Sequence, residues 1–284
     1  MENNLLTRAL FSPALPPRAK DSHKGSFGSV AIVGGDKGMV GAVLLAARAA
    51  LFCGAGRVHA VFLTDDAPNV DIQHPEIMLH SAANFSQLKQ LSCIVIGPGL
   101  GQSKSAMELL AYYLTQTVPL LIDSDGLNLI SQQPQLAVIL QQRMAETVVT
   151  PHPAEAARLM NCSVQIIQSN RSQSALKLAE KFKAICVLKG AGTICADSNG
   201  SWFLNTTGNP GLATGGTGDV LSGMIGSLIA QGLPALSAAK LGVYVHGAAA
   251  DALVARGTGP VGLTASEVAL EARQQINLLN KNIS

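Results

Sequence analysis

Charge and aromatic side chains are both scarce in this sequence, and each scarcity excludes a class of protein. Charged residues make up 13% of the 284 and balance to a formal +2. No basic run occurs, so no nucleic-acid partner is expected. A surface this poor in charge also points to area buried between subunits, and a homo-oligomer is expected. Aromatics reach only 4% against 48% hydrophobic residues, so the core must be built from Ala, Leu, Val and Ile. The five cysteines at 53, 93, 162, 186 and 195 form no Cys-x-x-Cys pair. Their odd number and apolar neighbours predict free buried thiols in a reducing compartment, hence a cytoplasmic protein. Met1-Glu2-Asn3-Asn4 places no basic lead before a long apolar run, so no signal peptide is expected. Uncharged Val220 to Ala239 has the length of a membrane span, but Gly223, Gly226, Gln231, Gly232 and Pro234 interrupt it. A core helix followed by a turn fits better, and no membrane partner is expected.

Two common nucleotide signatures are also missing. No Gly-Lys-Ser/Thr occurs, which removes the Walker A loop. Gly54-Ala55-Gly56 follows a helical pattern rather than a strand, and Gly97-Pro98-Gly99-Leu100-Gly101 lacks the dinucleotide spacing. The histidines at 23, 59, 74, 80 and 246 show no metal-ligand spacing. Any bound nucleotide must use another cradle.

What is present is alternation. After a proline-bearing lead-in over residues 1–24 (Pro13, Pro16, Pro17), Ser29 to Val33 reads as a buried strand ending in Gly34-Gly35. A small-residue helix, Met39 to Phe52, and a strand, Val58 to Leu63, follow. Further strands are predicted at 93–96, 119–122, 147–150 and 185–188, with helices at 105–114, 154–160 and 169–182. Asp197-Ser198-Asn199-Gly200 predicts a hairpin between 193–196 and 201–204. Helices near 219–231 and 236–255 come next, and Thr264-Ala265-Ser266-Glu267 is a capping box opening a last helix to about 279. This order predicts an α/β fold, one domain over 1–284, with a mostly parallel sheet covered by helices on both faces. Gly-, Pro-, His- and Asp-rich tails follow the strands. In such sheets ligands bind beyond the carboxyl ends, so these tails should converge on one crevice.

Chemistry concentrates in Asn209-Pro210-Gly211-Leu212-Ala213-Thr214-Gly215-Gly216-Thr217-Gly218-Asp219. Small residues let backbone N–H groups approach an anion, and a helix starting near Asp219 adds the positive end of its dipole. Asp219 then reads as a general base beside phosphate; an ordinary capped turn is the alternative. Lys189-Gly190-Ala191-Gly192-Thr193 reads either as a diphosphate cradle or as a turn with a solvated lysine. His152 stands between two prolines at a strand end, and Glu155 opens the following helix. Asp123 and Asp125 could hold Mg²⁺ through water or simply form a turn before Gly126.

Five phrases carry a resemblance: His23 to Gly28, Gly97 to Gly101, Thr150-Pro151-His152-Pro153-Ala154-Glu155, Leu188 to Thr193, and Asn209 to Asp219. In this order, over roughly residues 15–275, the chain resembles the ADP-dependent NAD(P)H-hydrate dehydratases of the ribokinase-like superfamily. The resemblance implies a three-layer α/β sandwich and repair of hydrated NADH or NADPH (NADHX, NADPHX), with ADP split to AMP and phosphate. It implies that Ala42, Gly101, His152 and Asp219 contact the hydrated cofactor. Lys189, Gly190, Ala191, Gly192, Thr193 and Gly218 would hold the nucleotide, and Mg²⁺ would be organised by Glu155 through water. It also implies a tetramer and a form without the fused epimerase domain of many relatives. Asp123-Ser124-Asp125-Gly126 departs from the alanines that relatives more often carry there. Two rivals are a hydroxymethylpyrimidine or hydroxyethylthiazole kinase of the same fold and a non-catalytic nucleotide-binding regulator. An acid beside phosphate argues against the second.

Overall fold

The computed structural model describes residues 4–11 and 14–281; Met1 to Asn3 of the start and Pro13 of the lead-in lie outside them. In chain order the strands are β1 (Ser29–Gly34), β2 (Arg57–Phe62), β3 (Met78–Ser81), β4 (Cys93–Ile96), β5 (Leu120–Ile122), β6 (Thr147–Val149), β7 (Ile185–Leu188), β8 (Ile194–Ala196) and β9 (Trp202–Leu204). They form one sheet in the order β3-β2-β1-β4-β5-β6-β7-β8-β9. All pairs up to β7 are parallel, and the predicted hairpin β8–β9 closes the edge antiparallel.

The helices are α1 (Val40–Phe52), α2 (Lys104–Leu114), α3 (Ser124–Gln132), α4 (Pro134–Gln141), α5 (Pro153–Met160), α6 (Val164–Ser169), α7 (Arg171–Phe182), α8 (Thr217–Ala230), α9 (Ala235–Ala255) and α10 (Ala265–Asn280). Period-two alternation sends Val30 and Ile32 to one face and Ala31 and Val33 to the other, and all four are fully buried. Helices α1, α8, α9 and α10 cover the first face, and α2 to α7 cover the second. This is the covered, mostly parallel sheet expected from the alternation. Pro234 separates α8 from α9 as predicted, and no described helix is long and apolar enough to cross a membrane.

Several elements escaped the periodicity reading. β3 is a half-buried edge strand, so its sequence shows no apolar run. Helix α3 begins in Asp123-Ser124-Asp125-Gly126, whose residue types signal a turn, yet Leu127, Leu129 and Ile130 bury one face. The polar helix expected over 169–182 is α7, capped by Asn170, but a separate short α6, capped by Ser163, precedes it unforeseen.

Cys53, Cys93, Cys186 and Cys195 are free and buried as expected, whereas Cys162 is half-buried. The alanine face of α1 belongs to the core, since Ala46, Ala47, Ala49 and Ala50 are buried within the chain. There α8 approaches so closely that a Cβ on Gly223 would overlap the Ala46 carbonyl. Gly223→Ala is therefore expected to cost about 1–3 kcal/mol, read as a melting temperature lower by at least about 2 °C.

Candidate active site

The chain leaves β1 toward β2 and β3 on one side, whereas β4 leads to β5 on the other. A crevice forms outside the carboxyl ends at such a divergence. The two tails are stitched there: Gly35 N–H donates to Pro98 O at 3.0 Å and Asp36 N–H to Gly99 O at 2.7 Å. Ala42, in the first turn of α1, lies against this tail, because a Cβ built on Gly99 would stand 3.3 Å from its Cβ. Gly101 N–H donates to Asp125 Oδ2 at 2.9 Å. Ala42 and Gly101 thus share one end of the crevice.

A buried charge cluster occupies its middle. Asp123 holds the N-cap position of α3 but caps nothing with its side chain. Its carboxylate turns inward instead, accepting from Lys189 Nζ at 2.6 Å and from Ser222 Oγ at 2.8 Å. Burial alone would push this carboxyl up; the Lys189 ammonium, with hydrogen bonds from Lys189, Ser222 and Thr150, holds it below the usual range. Burial likewise disfavours the Lys189 ammonium, but Asp123, Glu155 and Asp219 together keep its pKa above that of a free lysine.

At Asp123 and Asp125, where the sequence allowed a turn or a water-bridged Mg²⁺ pair, the structure places the start of α3, with Asp123 drawn into the buried pair with Lys189. Asp123 spends both oxygens inside the protein, and Asp125 serves Gly101. No described group of three or more His, Cys, Asp or Glu side chains could hold a metal by itself.

Two further acids flank the lysine. Burial, then the Asp123 charge, push Asp219 up to about 7 against the pull of Lys189. Burial also pushes Glu155 up to about 7, with Lys189 opposing and Asp123 adding. Glu155 belongs to a reciprocal cap: His152 Nδ1 accepts from Ala154 N–H at 3.1 Å and Glu155 N–H at 3.3 Å, while Glu155 Oε2 accepts from His152 N–H at 2.8 Å. With Nδ1 accepting, Nε2 carries the proton and faces Glu155 Oε1 at 3.3 Å. The ring of His152 thus caps α5 and stays half-exposed.

Asp219 lies in the first turn of α8, two residues later than the observed helix start. The N-cap is Gly216 at φ 89°, a left-handed conformation in which a Cβ would overlap Leu45. It offers no side-chain cap; Thr217 N–H donates to Thr214 O at 3.5 Å, and the Gly218 and Asp219 N–H groups, with the dipole, remain available to an anion.

A cleft of about 660 Å³ opens beside this turn, lined by Lys189 through Thr193, Asn205 through Pro210, Thr217, Gly218 and His246 among others. All six residues expected on the nucleotide side line it. Ala42, Gly101, His152, Glu155 and Asp219 do not, and Lys189 joins the two halves: its Nζ lies 3.5 Å from a Cβ built on Gly218.

Two groups of α9, His246 in the cleft lining and Asp251 behind it, carry no signal in the sequence. His246 sits inside α9, where burial lowers its pKa to about 4, so the neutral ring donates Nε2–H to Thr217 O at 3.0 Å. Asp251 accepts from Gly208 N–H at 2.8 Å and Asn209 Nδ2 at 3.0 Å, tethering the approach to the cradle. Neither carries a local motif, since both are placed by α9.

The sheet order and this site define a ribokinase-like α/β protein. A family model for NAD(P)H-hydrate dehydratase matches residues 30–271, and the chain belongs to that family. It is 42% identical over 282 residues to the ADP-dependent (S)-NAD(P)H-hydrate dehydratase of Neisseria meningitidis serogroup B, covering 98% of this chain and 95% of that one. It is 42% identical over 269 residues to the bifunctional NAD(P)H-hydrate repair enzyme of Coxiella burnetii, covering 93% and 54%. The chain thus spans about half the length of the bifunctional relatives it matches. Its fold matches the crystal structure of the ADP/ATP-dependent NAD(P)H-hydrate dehydratase from Bacillus subtilis, co-crystallized with ATP/Mg²⁺, with a TM-score of 0.86 at 30% identity over 97% of this chain and 98% of that one.

Proposed function

We propose that this chain dehydrates (6S)-NADHX and NADPHX to NADH and NADPH while ADP is split to AMP and phosphate, acting as one cytoplasmic ribokinase-like domain within a homotetramer. The observation that carries this reading is the placement of Asp219. A half-buried acid with a pKa of about 7 stands in an uncapped helix turn, between the nucleotide cleft and the Ala42–Gly101 end of the crevice. Hydroxide is a poor leaving group, so the 6-hydroxyl needs activation. Asp219 takes the hydroxyl proton as the oxygen attacks the β-phosphorus of ADP, and AMP departs. The C6–O bond of the phosphorylated hydrate then breaks, pushed by the ring-nitrogen lone pair, and loss of the C5 proton restores the dihydronicotinamide.

Backbone N–H groups at the start of α8 and the Lys189 ammonium stabilise the transferring phosphoryl group. Glu155 keeps spare lone pairs on a carboxylate beside Lys189, a donor fit for holding Mg²⁺ through water; the ion, when bound, would neutralise phosphate charge. His152, Ala42 and Gly101 would position the hydrated ring. A pyrimidine or thiazole alcohol kinase would use the same cradle, but the family membership and the Thr150–Glu155 and Leu188–Thr193 elements favour the dehydratase.

Incubation with hydrated NADH, Mg²⁺ and ADP should regain the absorbance of reduced nicotinamide. Absence of that signal, with ATP consumed on a thiazole or pyrimidine alcohol, would establish the kinase instead. The base must be ionised, so kcat/KM should fall about tenfold per unit as pH drops below about 7 and level off above it. A profile flat down to about pH 5 would remove Asp219 as the base.

A further inference from the structure

The Lys189–Thr193 loop lines the nucleotide cleft, but the group that shapes it stands behind it. Arg171, the first residue of α7, is half-buried and does not line the cleft. Its Nη2 donates to Leu188 O at 3.1 Å, Lys189 O at 3.2 Å and Gly192 O at 3.2 Å, while Nη1 is held by Gln168 Oε1 at 2.9 Å. Two N–H bonds are therefore shared among three carbonyls of one short loop.

The peptide bond is planar and trans, so each carbonyl points opposite the N–H of the next residue. Drawing the Lys189 carbonyl back to Arg171 turns the Gly190 N–H toward the cleft. Drawing back the Gly192 carbonyl does the same for the Thr193 N–H. The Leu188 carbonyl is the exception that anchors the loop, because its peptide partner, the Lys189 N–H, already donates to Pro151 O at 2.9 Å. Thr193 Oγ1 donates to Gly190 O at 3.0 Å and closes the turn from within. A guanidinium suits this task, since its planar fork is rigid and always charged. Among the described residues Arg171 has no ion-pair partner and its buried Nε no hydrogen-bond partner, an otherwise expensive use of a guanidinium.

We infer that Arg171 is a positioning residue that organises the Lys189–Thr193 loop into an anion nest, aiming the Gly190 and Thr193 N–H groups at the phosphates of the nucleotide. This rests on the reading of the cleft as the nucleotide site. It assigns the loop's selectivity to the phosphates rather than to the nucleoside.

Calorimetric titration of the full chain with ADP and with adenosine tests it, using Arg171→Met and Arg171→Lys, with a thermal melt to establish folding. Hydrogen bonds to charged groups are strong, so both variants should weaken ADP binding at least about tenfold. Adenosine binding should move by less than about threefold, so the preference for ADP over adenosine collapses. Lysine should not restore it, because a single ammonium lacks the planar fork that spans these carbonyls. A loop that merely unravels would weaken both ligands alike, and that result overturns the role of Arg171. So does a folded Arg171→Lys variant with the wild-type preference. Wild-type protein that binds neither ligand overturns the reading of the cleft itself, and this inference with it.

Discussion

Asp219→Asn is expected to leave ADP bound and to lower turnover by at least about 10²-fold, the low end of a general-base contribution. The amide keeps the size of the acid but cannot accept the hydroxyl proton. In the proposed reading the cradle is made by the backbone of Gly215 to Gly218 and by Lys189, whose main counter-charge, Asp123, the substitution leaves in place. The same variant should be more stable at alkaline pH. Burial raises the folded-state pKa of Asp219 to about 7, so across the window from the ordinary carboxylate range up to about 7 the native state holds a proton that the unfolded chain has released. Stability conferred by that proton is lost as pH rises through the window and stays lost above it. An asparagine carries no charge to desolvate, and at about pH 8 it should melt above the wild type by roughly 2 °C or more. Turnover down and melting temperature up is the signature of an acid kept in a costly place for its chemistry. Near-normal turnover would remove Asp219 as the base, and a lowered melting temperature at that pH would show that its carboxylate stabilises the fold.

The strand-end tails were legible because each is a local phrase. Gly34-Gly35, Gly97 to Gly101, Pro151-His152 and Lys189 to Gly192 follow apolar runs, and parallel topology alone sends them to one edge. The start of α8 was legible to within two residues for the same reason, as a glycine cluster giving way to an apolar helical pattern, while the left-handed turn at Gly216 was not. Asp123 was not. Its neighbours Ser124, Asp125 and Gly126 spell a turn, and the lysine that claims it lies 66 residues further on. Arg171 was hidden in a polar helix, where an arginine near the amino end looks like solvated surface. His152 was seen, but its cap on α5 depends on a ring conformation that no spacing encodes. Local chemistry is written in the sequence as motifs, while pairings across the crevice are made by the sheet order.

The pairing hidden best should also be the costliest to break. Asp123→Asn is expected to destabilise the protein by about 3–5 kcal/mol, because it leaves a buried ammonium without its main counter-charge. The carboxylate is fully buried, with Lys189 Nζ at 2.6 Å and Ser222 Oγ at 2.8 Å. The asparagine can offer one oxygen to one of these donors and must turn its own NH₂ toward the other. The melting temperature should fall by roughly 10 °C, taking about 2–4 °C per kcal/mol for a chain of this size. The pH dependence gives the sign. The folded-state pKa of Asp123 is lowered, so its contribution is complete above the unfolded carboxylate value and is lost as pH falls through the folded one. The gap between wild type and variant should therefore be full at neutral pH and close only in strong acid. Removing both charges with Asp123→Asn and Lys189→Met together should recover part of the loss, since an uncharged pair has no ion to strand. The double variant would still lack the ammonium that joins the nucleotide cleft to Asp219. Recovered stability without recovered turnover would show that this ion pair is kept for the reaction, whereas a double variant no more stable than Asp123→Asn would place the cost in Ser222 and the packing around α3.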